Sequence, residues 1–391
     1  MQSTSWGGTC LKRAHLWMPR KLFARSSLED GTRIRPGTKV YVGLSGGVDS
    51  SVTAHLLKQQ GMDVEGIFMR NWDLRDERNE CPSERDWHDV QSVCQQLQIK
   101  CHQINLVKPY WNQVFSVALD DFAQGRTPNP DILCNSQIKF GVLLDEISRR
   151  LDPQAWFATG HYARLRNARL LRGLDKRKDQ SYYLAGVPGS RFSRVMFPLG
   201  ELTKRDVRRI AKSAGLATAE KEESMGICFV GERRKFDEFL AEYLPSTPGD
   251  ILDPHGELVG RHQGMFSRTI GQNARLSGMD CKWYVYAKDP ARNLMFAAPK
   301  RSHPLLYSSR VVAGPVHWIS TAPDFGPDNQ INVDAQVRYM QSPQAGVASR
   351  VDRDYVSVQF KDAQFGIASG QYLVLYQGDL CLGSAPICST A

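Results

Sequence analysis

Two features of this 391-residue chain carry residue types that do chemistry. The first is Ser45-Gly46-Gly47-Val48-Asp49-Ser50-Ser51, a glycine-rich turn between a strand-like run over 38–44 and a helix-like one. Backbone N–H groups left open by glycine, together with the positive end of the following helix, hold phosphate. Gly46 and Gly47 permit close backbone approach, and Ser45, Ser50 and Ser51 can add hydroxyl donors. The turn is an anion cradle. It is not a Walker A loop, because the Gly-Lys-Ser/Thr ending is missing and no lysine is placed to grip a β- or γ-phosphate.

The second feature is a pair of cysteines. Cys134 follows Thr127-Pro128-Asn129-Pro130-Asp131-Ile132-Leu133. The two prolines stiffen this approach, and Ile138, Leu143, Leu144 and Ile147 predict a helix beginning just after the cysteine, whose dipole would favour a thiolate. Cys228 lies in Ser224-Met225-Gly226-Ile227-Cys228-Phe229-Val230-Gly231, with Lys221 before it and Arg233 and Arg234 after it. Those bases suit a thiolate or persulfide, and the glycines permit a bent segment. Either cysteine alone reads as a buried apolar thiol; together, in these settings, they read as chemistry. Cys81, Cys94, Cys101, Cys281, Cys381 and Cys388 read as packing or surface residues. Nine cysteines without regular spacing exclude a disulfide scaffold, and no Cys-x-x-Cys pair suggests structural zinc.

These residues need elements to hold them. A strand at 38–44, a helix with Val52, Leu56 and Leu57 on one face, a stop at Gly61 and a strand at 64–69 make a βαβ unit and predict a parallel sheet. Helices over 86–97, 111–122 and 140–150 and strands at 101–106 and 155–159 continue the pattern, so an α/β domain spans 38–232. Proline-bearing turns at Pro245, Pro248 and Pro254 open a small linking domain, residues 233–300. From 303 to 391 short alternating runs at 310–313, 331–339, 356–360 and 372–376 predict an antiparallel β-barrel or sandwich.

Hydrophobic residues make up 41% and charged residues 23%, as in ordinary globular domains. No run approaches the roughly 18 apolar residues of a membrane span. The net charge of +9 suggests a polyanionic partner, but Lys12, Arg13, Arg20, Lys21 and Arg25 supply five of those charges before the first acid, Glu29. The remaining +4 is weak support for nucleic-acid binding. The Ser- and Arg-bearing leader, residues 1–30, which has no acid before Glu29, reads as a mitochondrial transit peptide directing the chain to the matrix. A disordered basic arm touching RNA, or an upstream extension with no role, is the alternative.

The turn resembles the pyrophosphate loop of the N-type ATP pyrophosphatases (adenine nucleotide α-hydrolase-like fold), whose members adenylate a substrate. Five motifs in order, Gly43 to Ser51, Asn129 to Asn135, Ala158 to Tyr162, Lys178 to Tyr182 and Gly226 to Phe229, resemble those of the tRNA-specific 2-thiouridylases, with the leader pointing to the family's mitochondrial branch. The likeness runs from about residue 38 to the C-terminus.

It implies a three-part architecture and ATP-dependent thiolation of C2 of a wobble uridine in a subset of tRNAs. Gly43, Leu44 and the loop from Ser45 to Ser51 would hold ATP, with Met69 and Gly160 near adenine or ribose and Asp49 as the loop's catalytic carboxylate. Asn129, Pro130 and Asp131 would meet the target base. His161, Lys178, Asp179, Gln180, Arg338, Tyr339 and Gln371 would contact tRNA. By themselves His161 reads as structural, Lys178 with Asp179 as a charged turn, and Arg338 with Tyr339 as a strand face.

The resemblance further implies Mg²⁺ with the ATP, and a persulfide-carrying donor protein or cysteine desulfurase relay that loads Cys228 before Cys134 resolves the persulfide. Release of hydrosulfide is an alternative route, and an iron-sulfur cluster on Cys134, Cys228 and Asp131 a minor one. One departure is Gly271-Gln272-Asn273-Ala274-Arg275-Leu276, less basic than the family's run, which puts its tRNA contact in doubt. Two competing readings are an ATP pyrophosphatase amidating a small molecule and a catalytically silent tRNA-binding protein.

Overall fold

The computed structural model describes residues 35–72, 82–222 and 236–390. The leader, Cys81 and the whole Cys228 motif lie outside them.

Strand β1 (Lys39–Leu44), helix α1 (Val48–Gln59), β2 (Asp63–Arg70), α2 (Pro82–Leu97), β3 (Cys101–Asn105), β4 (Trp156–Thr159) and, beyond a hairpin of β5 (Ala163–Arg166) and β6 (Arg169–Arg172), β7 (Val195–Met196) build the first domain. Its sheet is wholly parallel in the order β3-β2-β1-β4-β7. Side chains alternate across β1: Val40, Val42 and Leu44 pack with Val52, Leu57 and Val93 on the α1/α2 face, while Tyr41 joins Ile67, Phe140 and Phe157 on the other. Both faces are covered, which is why the strand reads as one continuous apolar run.

The opposite face is filled by helical runs over 107–123 and 130–150, each containing a π-helical stretch, Trp111–Phe115 and Cys134–Val142. The helix expected to begin after Cys134 begins instead at Pro130. Asn129 is its N-cap, accepting from the Ile132 N–H at 3.4 Å, and Pro130 takes a first-turn position, where its missing N–H costs nothing. Cys134 is therefore one turn inside the helix rather than ahead of it, so the expected effect of a helix end on its thiol has no geometric basis here.

Four strands, β8 (Gly249–Leu252), β9 (Leu258–His262), β10 (Trp283–Asp289) and β11 (Leu294–Pro299), form the central sheet over Ile251, Val285, Met295 and Ala297. The C-terminal strands are β12 (Tyr307–Ala313), β13 (His317–Trp318), β14 (Gln330–Gln336), β15 (Gln344–Arg350), β16 (Val356–Phe365), β17 (Tyr372–Gln377) and β18 (Leu380–Thr390). Neighbours run antiparallel in the order β12-β16-β15-β14-β17-β18, and β18 pairs back with β12. A six-stranded barrel closes, leaving these strands no free edges. The strand expected to reach Tyr339 stops at Gln336, where Met340 turns with φ 66°.

The hairpin β5–β6 was not anticipated. Asn167 and Ala168 take φ 52° and 56° at its two-residue turn, and Leu171 pairs with Leu380 of β18, so part of the first domain extends the barrel's sheet.

Candidate active site

The phosphate loop leaves the C-terminal end of β1. Gly46 holds φ +72°, and a Cβ there would lie 2.9 Å from the Asp86 carbonyl of α2, so only glycine fits. Gly47 is the N-cap of α1 and no side chain caps that helix, which leaves first-turn N–H groups for a ligand. The three serines differ in placement. Ser50 and Ser51 are buried and their hydroxyls donate to the Gly47 carbonyl at 3.1 and 2.9 Å, while the Ser45 N–H donates to Ser50 Oγ at 3.2 Å. Ser50 and Ser51 brace the loop from within, while Ser45 is exposed.

Strand order reverses direction between β1 and β4, and the loop sits at that switch point, where open parallel sheets bind ligands. Gly160, just past β4, lies against the loop: a Cβ on it would be 2.9 Å from Asp49 C and Ser50 N. Met69 follows Phe68, which is level with Leu44, so it stands on the same sheet edge, partly buried. Gly43 and the buried Leu44 hold the approach from within the sheet.

Asp49 projects from the first turn of α1, and both its oxygens lie 2.8 Å from Lys204 Nζ; Oδ1 also accepts from Tyr162 Oη at 2.8 Å. Lys204 opens the helix Lys204–Ser213, whose start is fixed by a capping box of Thr203 and Asp206. Sequence reasoning found no lysine for the phosphates because this one is 155 residues away. Its only local signal is the capping box that places it at a helix start.

Cys134 is 1% exposed. Burial pushes the Asp131 carboxyl up, with the Lys139 cation opposing. Asn135 donates to the Asp131 carbonyl at 2.9 Å. Farther along the same helical run, Phe140 meets the ring of His161 at 6.0 Å, so the cysteine's helix packs on the turn that backs the phosphate loop.

His161 itself is 9% exposed and bonded to Thr159 at 2.7 Å; desolvation, then the Lys139 charge, holds its pKa well below the usual range, and the ring is neutral. Asp179 accepts from Arg172, the Gly173 N–H and the Ser181 N–H, and Gln180 accepts from the Tyr162 N–H, so these two side chains build the turn next to Lys178. The remaining candidates converge elsewhere. Gln371 donates to the carbonyls of Thr127 and Pro128 at 3.0 and 3.2 Å, immediately before Asn129. Tyr339 packs on Tyr183 at 4.1 Å and Tyr182 at 6.1 Å, while the Tyr182 phenol meets both Tyr372 O and the Asn129 side chain. Arg338 donates to the Phe365 carbonyl at 2.6 Å and is half-buried. Asn129, Tyr339 and Gln371 thus share one seam between the first domain and the barrel, whereas His161 and Gln180 belong to the nucleotide side. In the divergent run, Gly271 (φ +85°) packs on Phe365, and Arg275 is exposed.

Among the described residues no group of three His, Cys, Asp or Glu stands together as a metal site. A magnesium ion carried by ATP needs only one or two protein carboxylates; Asp49 stands in the loop, and Asp86 and Asp89 of α2, paired with Lys221, flank it at Gly46.

Three family models match consecutive stretches of the chain: a tRNA methyl transferase HUP domain over 38–232, a tRNA methyl transferase PRC-barrel domain over 237–299 and an aminomethyltransferase β-barrel domain over 308–387. The tRNA-specific 2-thiouridylase MnmA of Marinobacter nauticus is 46% identical, over 90% of this chain and 91% of its own length. The Vibrio cholerae protein of the same name is 45% identical over 89% and 96%. That of Levilactobacillus brevis is 44% identical over 90% and 95%. Among solved structures, an NMN synthetase from Francisella tularensis covers 52% of this chain and 73% of its own at 17% identity and a TM-score of 0.32.

Proposed function

The chain belongs to the tRNA-specific 2-thiouridylase family, and we propose that it uses ATP to replace the C2 oxygen of a wobble uridine with sulfur in a subset of mitochondrial tRNAs. The observation that carries this reading is the convergence at one sheet edge: an uncapped, glycine-rich helix start with Asp49 and Lys204 beside it, backed by the helix that holds Cys134.

The uridine oxygen is a poor leaving group, so it attacks the α-phosphorus of ATP, pyrophosphate departs and C2 carries an adenylate. The loop's N–H groups and Lys204 would bear the charge that develops on the departing phosphates. Bound Mg²⁺ would supply further charge neutralisation, with Asp49 as its protein ligand.

The outer sulfur of a Cys228 persulfide then attacks C2 and AMP leaves. The Cys134 thiolate next attacks the Cys228 sulfur, the sulfur–sulfur bond to the base breaks with its electron pair moving onto the new thiocarbonyl, and a Cys134–Cys228 disulfide forms. A thiol reductant resets the pair. The donor that loads Cys228 is a persulfide-carrying protein. Support for these roles is the pair of motifs and the buried seat of Cys134; support for the matrix is the basic leader, which carries no acid before Glu29.

Mass spectrometry of mitochondrial tRNA from cells carrying Cys228→Ser tests the reading. Loss of 2-thiouridine at the wobble position is expected; unchanged thiolation would sink it. Residues 1–30 fused to a fluorescent protein should carry it into mitochondria, and a cytosolic signal would refute the matrix assignment.

A further inference from the structure

The segment Gly125–Pro128 joins the helix Ser116–Ala123 to the helix that bears Cys134, and it is gripped by both downstream domains. From the central domain, Lys288 Nζ donates to the Gly125 carbonyl at 3.0 Å and to the Met265 carbonyl at 2.7 Å. Gly125 turns with φ +73° as the helix ends, and a Cβ there would lie 3.0 Å from Pro290, so the central domain fits closely against this turn. An ammonium at a helix carboxyl end also meets the negative pole of the helix. Thr269 of the same domain shares a hydroxyl hydrogen bond with Thr127.

From the barrel, Ser369 O accepts from the Thr127 N–H at 2.8 Å, and Gln371 takes the carbonyls of Thr127 and Pro128. A Cβ on Gly370 would come 2.9 Å from Thr127 N, so the two backbones are in close contact. The next residue is Asn129, whose side chain starts the helix. Burial lowers the Lys288 pKa to about 8, so a charged group is being kept out of water where an apolar side chain would pack at less cost.

We propose that Lys288 is a positioning residue for sulfur transfer: through its two carbonyl contacts the central domain holds the Gly125–Pro128 strap, and the strap sets where Asn129, Asp131 and Cys134 stand relative to the phosphate loop. This rests on the reading of Cys134 as a sulfur-transfer thiol. It gives the central domain a task in catalysis, which it shares with the barrel residues that hold the strap from the other side.

The test uses the purified full-length chain with ATP, a tRNA transcript, glutathione persulfide as the sulfur donor and glutathione as the reductant. It compares wild type with Lys288→Met, which keeps the aliphatic stem, and Lys288→Arg, which can still donate to two carbonyls. Lys288→Met is expected to lower the rate of 2-thiouridine formation about ten-fold and to raise the iodoacetamide labelling rate of Cys134 several-fold. ATP affinity should stay within about two-fold, and Lys288→Arg should recover most of the loss.

Wild-type thiolation and labelling in Lys288→Met would overturn the proposal, as would a loss of ATP binding in step with the loss of thiolation. Should Lys288→Met not fold, Thr269→Val loosens the same strap from the same domain and faces the same outcomes. If the wild-type chain forms no 2-thiouridine, the functional reading has failed, and the labelling rates of Cys134 still decide whether Lys288 positions it.

Discussion

At the scale of single residues, the site depends on pairs that sequence separation hides. The glycine cradle is legible because its signal is local, but the cation beside it is not: Lys204 reaches Asp49 only after two helices pack. Lys204→Met takes the cation away from the Asp49 carboxylate, and pyrophosphate release with tRNA and ATP should fall about 100- to 1,000-fold, in the range for loss of one electrostatic donor; an unchanged rate would remove Lys204 from the site. Gly160 is equally sharp. An added methyl at 2.9 Å from the Asp49 and Ser50 backbone must displace the loop, so Gly160→Ala should cost about 1–3 kcal/mol in urea unfolding and weaken ATP binding with it.

His161 gives a prediction with a sign. Its folded pKa lies far below the ordinary value near 6.5, so at pH below that value the unfolded chain binds a proton that the folded chain does not. The stability from keeping the ring neutral is present above about pH 6.5 and is lost as pH falls, by about 1.4 kcal/mol between pH 7.5 and 5.5. Urea melts of wild type and His161→Phe at those two values should show this extra loss in the wild type alone. Equal losses would mean the ring is not held neutral.

At the scale of elements, the strand–loop–helix start and the alternating barrel strands were readable because each has its own period. Two things were not. The start of the Cys134 helix was set five residues late, since the prolines read as a stiff approach to the helix when Pro130 is in fact its opener behind an Asn cap. The β5–β6 hairpin was hidden because its strands are four residues each and rich in arginine, and Leu171 pairs with Leu380 of another domain, which no local pattern announces. Asn129 therefore has two duties, capping and the proposed contact with the base, and substitution separates them. Asn129→Ala should lose about 1 kcal/mol and thiolation; Asn129→Ser, which still caps, should restore stability without restoring thiolation. Full recovery of both by serine would leave capping as its only task.

At the scale of the whole molecule, the net charge of +9 looked uninformative once the leader's five charges were set aside. Folding shows where the rest is concentrated. Residues 164–178, the hairpin and the turn after it, carry seven basic residues against Asp175 alone. Arg164 and Lys176 are tied to Asp379, and Arg172 to Asp179, while Arg166, Arg169 and Arg177 are exposed. The Asp175 carboxylate accepts from the Lys204 backbone N–H at 3.0 Å, so this basic surface borders the nucleotide loop on one side and joins β18 of the barrel on the other. A tRNA whose anticodon loop reaches Cys134 has phosphates to place along such a bridge, where each neutralised phosphate adds about one unit to the salt dependence of binding. Arg166→Ala with Arg169→Ala should therefore weaken tRNA binding several-fold and reduce the slope of log affinity against log salt by about two, while ATP affinity and the melting temperature stay put. An unaltered slope would take the hairpin out of the RNA interface and leave its charge as a solvated edge.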